Sequence, residues 1–174
     1  MNIRNNKRRK DTVEIIERVF FEQLKTKELY QISVTTICKE ADINRSTFYA
    51  IYTDVYDLAD KIKKQLEDEV NSLVDTDSWS QSTDNFLRLF EHIKRNQELY
   101  SIFFKLGFDD GYNLKLYDLC KIDLLDSKYI DYHVEFFKNG FNAIVKKWLK
   151  NNCSESPQEM CEILLSEYSG RHKY

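Results

Sequence analysis

Ile32-Ser33-Val34-Thr35-Thr36-Ile37-Cys38-Lys39-Glu40-Ala41-Asp42-Ile43-Asn44-Arg45-Ser46-Thr47-Phe48-Tyr49-Ala50-Ile51-Tyr52-Thr53-Asp54-Val55-Tyr56-Asp57-Leu58 reads as a helix, a tight turn and a second, shorter helix. Ser33 is an N-cap, because its hydroxyl can accept from the open backbone N–H groups of the first turn. Val34, Ile37, Cys38 and Ala41 then form one apolar stripe. Asp42-Ile43-Asn44 breaks the helix, and Asn44 caps a second one predicted from Arg45 to about Tyr52. Ile43 and Phe48 are expected inside, with Arg45, Ser46, Thr47, Tyr49 and Ala50 facing out.

Two short helices at a steep angle, joined by a turn of about three or four residues, make a helix-turn-helix. Its second helix fits a DNA major groove and meets base edges with its N-terminal residues. The outward residues suit that task. Arg45 can donate twice to a guanine, Ser46 and Thr47 can bond bases or phosphates, and Ala50 can touch a thymine methyl. Tyr49 can reach a phosphate. Asn44 and Tyr52 complete the candidate set on this helix, and Ser33, Thr35 and Thr36 are candidates at the start of the preceding one.

The run Ala41-Asp42-Ile43-Asn44-Arg45-Ser46-Thr47-Phe48-Tyr49, followed by Tyr52 and Leu58, resembles the DNA-binding signature of TetR-family transcriptional regulators. The Ile-Asn-Arg-Ser-Thr-Phe-Tyr form is similar to the DhaS-like subgroup of that family. The motif covers roughly residues 12–62. The resemblance implies an all-α fold: a helix-turn-helix head, joined by a long helix to a body that binds an effector and dimerises. It also implies a homodimer that binds an operator, most simply as a repressor. Two positions depart from the family pattern. Asp42 stands where glycine is common, so the turn needs a backbone that few side chains accept, Asp being among the better ones. Val55 stands where a phosphate-contacting lysine is usual.

Composition fits that class. The chain has 174 residues with one Pro and four Gly, and 32% are charged, which favours helix. The net charge of −3 is uneven: residues 1–64 carry 13 Lys/Arg against 10 Asp/Glu, or +3, and residues 65–174 carry 13 against 19, or −6. A basic front and an acidic back suit a DNA-reading head on a body kept off DNA. No stretch approaches the ~20 apolar residues of a membrane span, and the basic N-terminus leads into no apolar segment of a signal peptide, so a cytoplasmic location is expected. Cys38, Cys120, Cys153 and Cys161 form no Cys-x-x-Cys pair and are expected as small apolar residues or free thiols. His92, His133 and His172 are too scattered for a metal site. There is no nucleophile–histidine–carboxylate arrangement and no phosphate-cradling glycine loop, so neither enzymatic activity nor a cofactor is expected.

The sequence divides into residues 1–62, the head, and 63–174, the body. Residues 1–10, with Arg4, Lys7, Arg8, Arg9 and Lys10, read as a basic arm, either tracking DNA or simply solvated. A first helix begins at Asp11 or Thr12 and buries Val13, Ile16, Phe20 and Leu24, and Tyr30 and Ile32 follow as packing residues. Thr53 or Asp54 caps a long helix whose apolar residues are Leu58, Ile62, Leu66, Val70 and Leu73, with Lys61, Lys63 and Lys64 on its exposed faces. Asp75 to Ser82, holding Trp79, is the clearest loop, and a less certain helix holds Leu114, Tyr117, Cys120 and Leu124.

In the body, Glu98 to Leu106 is helical and Gly107 stops it. The seam Ile130, Val134, Phe137, Phe141, Ile144 and Trp148 ends at Asn151-Asn152, and Ser156-Pro157-Gln158-Glu159 is a capping box opening a last helix with Met160, Ile163, Leu164 and Tyr168. By the resemblance, Val134, Phe137, Phe141, Ile144, Trp148, Met160, Ile163 and Leu164 form the dimer interface. The other use of this seam is to close the chain's own core. By the same resemblance the aromatic middle, with Phe86, Phe90, Phe103, Phe104, Tyr117 and Phe136, would line a pocket for a small apolar effector; the alternative is a plain aromatic core. A protein co-regulator would instead need an exposed apolar patch. The rival from another class is a helical adaptor that has kept the fold and lost DNA binding.

Overall fold

The computed structural model describes residues 3–73, 82–109 and 129–169, and these are helical with no strand. The elements are α1 (Ile3–Leu24), a 3-10 turn (Leu29–Gln31), α2 (Val34–Glu40), α3 (Arg45–Tyr49), α4 (Val55–Leu73), α5 (Ser82–Arg95), α6 (Gln97–Lys105), α7 (Ile130–Lys150) and α8 (Pro157–Ser169). The chain divides after Lys64 into two compact units. The loop around Trp79 and the helix expected around Leu114, Tyr117, Cys120 and Leu124 lie outside the described residues, as does His172.

In the first unit, Ile16, Val19, Phe20 and Leu24 of α1 are buried with Ile32, Ile37, Cys38, Ala41, Phe48, Leu58, Ala59 and Ile62. Gln23, buried among them, donates from Nε2 to Glu40 Oε2 at 3.1 Å and so ties α1 to α2. The helix begins at Ile3, not at Asp11 or Thr12, so the basic run is helical. No Pro or Gly interrupts it, Arg and Lys are good helix formers, and the Thr12 hydroxyl donates to Arg8 O at 2.8 Å. Tyr30 is 75% exposed and packs nothing away, while Ile32 is buried. The second motif helix stops at Tyr49, well short of Tyr52.

In the second unit, Leu66 and Val70 of α4 join residues of α5 to α8 in one core. The rings of Phe90 and Trp148 meet edge-on at 5.6 Å, and Phe86, Phe137 and Phe141 pack within about 6 Å of one another. Gly107, at φ +67, closes α6: its N–H donates to Phe104 O and that of Phe108 to Phe103 O, each at 3.2 Å. This paired pattern needs a left-handed residue at the stop, which glycine adopts without strain. The capping box on α8 also forms, with Ser156 N–H donating to Glu159 Oε2 at 2.7 Å and Glu159 N–H to Ser156 Oγ at 3.2 Å. Those bonds from Ser156 hold the Glu159 carboxyl below its ordinary range.

The seam expected between two chains is the core of one. Phe137, Phe141, Trp148, Met160 and Leu164 are buried within the single chain, Val134 and Ile144 are half-buried, and only Ile163 of that set is exposed. The reason is physical: α5 supplies Phe86, Leu89, Phe90 and Ile93, an apolar face large enough to cover the seam without a second copy. Of the expected pocket residues, Phe86, Phe90 and Phe103 are buried with their rings against other aromatics, Phe104 is half-buried and Phe136 is 58% exposed. Tyr117 lies outside the described residues.

Candidate nucleic-acid interface

The turn between α2 and α3 sets the interface. Asp42 has φ +52, and Ile43 N–H donates back to Cys38 O at 3.0 Å, so the chain reverses within three residues of the end of α2. A non-glycine residue pays a modest strain there, and Asp is one of the side chains that tolerate it. Ser33 caps α2 as expected: its Oγ accepts from Thr36 N–H at 3.2 Å and lies 2.8 Å from Thr36 Oγ1. Asn44 occupies the N-cap of α3 with extended backbone, but its side chain makes no capping bond. Instead its carbonyl accepts from Thr47 and Phe48 N–H groups at 3.0 and 3.3 Å.

Phe48 is fully buried and fixes which face of α3 looks out. Arg45, Ser46, Tyr49 and Ala50 are exposed and Thr47 is half-buried. Ser33 and Thr35 are exposed at the start of α2, and Thr36 is half-buried. An open groove of about 490 Å³ runs along Thr35, Cys38, Lys39, Asp42, Ile43, Asn44 and Arg45. Burial pushes the Cys38 thiol up, and the nearby Arg45 guanidinium opposes that shift. Arg45 thus stands at the rim of this groove with an exposed, positively charged end.

Tyr52 does not belong to this surface. It is 3% exposed, its hydroxyl donates to Glu17 Oε1 at 3.2 Å, and its ring lies 5.5 Å from that of Phe48. Burial, and then the Glu17 carboxylate, push its pKa far up, so it stays a neutral donor. The spacing carried this signal, because Tyr52 falls four residues after the inward Phe48. Val55 is buried as well.

Lys61 is the residue that sequence reasoning missed. Its Nζ donates to Ile51 O at 2.8 Å and to Asp57 Oδ2 at 2.9 Å, and stands 5.1 Å from the centre of the Tyr52 ring. Asp57 Oδ2 accepts from Thr53 N–H while Asp54 Oδ1 accepts from Asp57 N–H, each at 2.8 Å, which caps α4. The bond from Lys61 is the main cause that holds the Asp57 carboxyl below its ordinary range.

Elsewhere, Cys38, Cys153 and Cys161 are buried free thiols. Among the described residues no cluster of His, Cys, Asp and Glu could hold a metal ion, and no helix is long and apolar enough to cross a membrane.

A helix-turn-helix whose exposed face carries Arg45, Ser46 and Tyr49 is followed by a second helical unit, an architecture found in regulators of transcription. Residues 77–166, more than half the chain, match the family model TetR_C_8, described as a transcriptional regulator C-terminal region. The chain belongs to the TetR family of transcriptional regulators. A solved structure titled dihydroxyacetone kinase operon activator DhaS is similar, with a TM-score of 0.62 over 93% of this chain and 96% of that one, at 19% sequence identity. That likeness shows the fold. No curated protein sequence matches the chain. Membership of this family points to a regulator of transcription rather than an enzyme.

Proposed function

We propose that the chain is a homodimeric repressor that reads a pseudo-palindromic double-stranded DNA operator with two copies of α3. The residues assigned to DNA are Ser33, Thr35, Thr36, Arg45, Ser46, Thr47, Tyr49 and Ala50, with Asn44 at the helix start. The observation that carries the reading is the outer face of α3, where Arg45, Ser46 and Tyr49 stand exposed while Phe48 anchors the same helix in the core. Two heads would occupy major grooves one helical turn apart, ~34 Å, or a multiple of it. The dimer would use the outward faces of α7 and α8, where Ile163 is exposed and Val134 and Ile144 are half-buried. A small effector or a protein co-regulator bound to the body would release the operator by its difference in affinity for two states. The similar solved structure is titled an activator, so the sign of regulation is the finer part of the proposal, and a promoter–reporter assay decides it.

The second reading, an adaptor that has lost DNA binding, rests on Val55, which is buried where the family's usual lysine would meet a phosphate. The two readings part in one experiment: binding of the purified chain to its own upstream intergenic DNA, at two salt concentrations and with unrelated DNA as competitor. Saturable binding that weakens with salt and survives competitor supports the regulator. Weak binding that competitor removes, on this and on genome-wide fragments, supports the adaptor.

A further inference from the structure

We propose that Lys61 is a positioning residue for DNA reading, acting on the end of the recognition helix and not on the DNA. The inference rests on the DNA-binding role proposed above. Helix α3 has five residues, little more than one turn. So short a helix has almost no stability of its own, and its direction is set by what grips it. Phe48 holds its inner face. The segment that follows, Ile51-Tyr52-Thr53, is gripped by one face of α4: Lys61 takes the Ile51 carbonyl, covers the Tyr52 ring, and holds Asp57, which in turn takes the Thr53 N–H. From the other side Glu17 of α1 accepts from the Tyr52 hydroxyl.

The chemistry of Lys61 is therefore directed inward. Its ammonium makes two hydrogen bonds at 2.8 and 2.9 Å and is paired with a carboxylate. Base reading needs side chains held within about 0.5 Å and 10–20° of their productive positions. Releasing Ile51 frees the turn between α3 and α4, and with it the angle at which Arg45 and its neighbours meet the groove. Attraction to phosphates, which needs no such angle, is untouched.

The test compares wild type, Lys61→Met and Lys61→Arg on the operator fragment and on unrelated DNA across a salt series, with thermal melting of each protein. Lys61 is half-exposed on a helix surface, and methionine keeps its stem and helix preference. Lys61→Met is expected to lose roughly tenfold in operator affinity. Its binding to unrelated DNA and its salt slope should stay as in wild type, and Lys61→Arg, which restores the donors, should recover most of the loss. Operator binding by Lys61→Met equal to wild type overturns the proposal. So does a salt slope lower by about one, which would make Lys61 a phosphate contact. A Lys61→Arg protein as weak as Lys61→Met, with a lowered melting point, would reduce the residue to general stability. A wild-type protein without competitor-resistant binding overturns the DNA-reading role itself, a result distinct from all of these.

Discussion

Replacing Phe141 by alanine is expected to destabilise the body rather than to separate two folded chains. Phe141 is 3% exposed within one chain, and its ring centre lies 5.7 Å from that of Phe90, 6.1 Å from Phe86 and 6.2 Å from Phe137. Truncating a buried Phe removes its transfer energy and leaves a cavity, about 3–5 kcal/mol together. With a urea slope of roughly 2 kcal/mol per molar, the midpoint should fall by roughly 1.5–2.5 M. The assay is a urea titration followed by far-ultraviolet circular dichroism at two protein concentrations, with light scattering on the folded sample. Ile163→Glu is the comparator, because Ile163 is exposed on α8. If the dimer face crosses it, that variant should halve the mass while keeping its helical signal. The reasoning fails if Phe141→Ala keeps its midpoint within about 0.5 M of wild type and instead scatters as a folded monomer. The seam would then lie between chains.

Two further outcomes follow from buried polar groups. Tyr52→Phe deletes the hydrogen bond to the Glu17 carboxylate, so the head should lose about 1–2 kcal/mol with its fold retained; an unchanged melting point would mean the bond carries nothing. His92 is held neutral: burial is the main cause of its lowered pKa, Arg95 adds to it, and Glu69, 3.8 Å from Nε2, opposes it. Its contribution to stability is present above the unfolded value of about 6.5 and is lost as pH falls through that value toward the lower folded one. Subtracting the pH dependence of His92→Gln melting from that of wild type should leave a loss on going from pH 7 to 5. A gain instead would mean that pairing with Glu69 outweighs burial.

What could be read in the sequence was local. The Ser33 cap, the Asp42 turn, the Gly107 stop and the Ser156–Glu159 box each depend on residues within a few positions, and each forms. The periodicity of Phe137, Phe141 and Trp148 also told correctly that a face is buried. It could not tell against what, because the covering residues, Phe86 and Phe90, lie some fifty positions away. The end of α3 was not legible either, since Ala50-Ile51 continues a helix as well as it ends one. A helix continued to Tyr52 would set that residue on the DNA face, although its spacing from Phe48 points inward. Lys61 read as a solvating charge, although Asp57 stands one helical turn before it. Its bond to the Ile51 carbonyl spans ten residues and a turn, and no spacing rule reaches that far.

The central claim is that α3 reads base edges through Arg45. The most direct measurement is the affinity of Arg45→Ala for the operator and for unrelated DNA at one fixed salt concentration. The account predicts a loss of roughly 1–3 kcal/mol on the operator, about five- to 150-fold, against a much smaller change on unrelated DNA. Equal losses on both would make Arg45 a phosphate contact, and no loss on either would contradict the claim that this helix reads DNA.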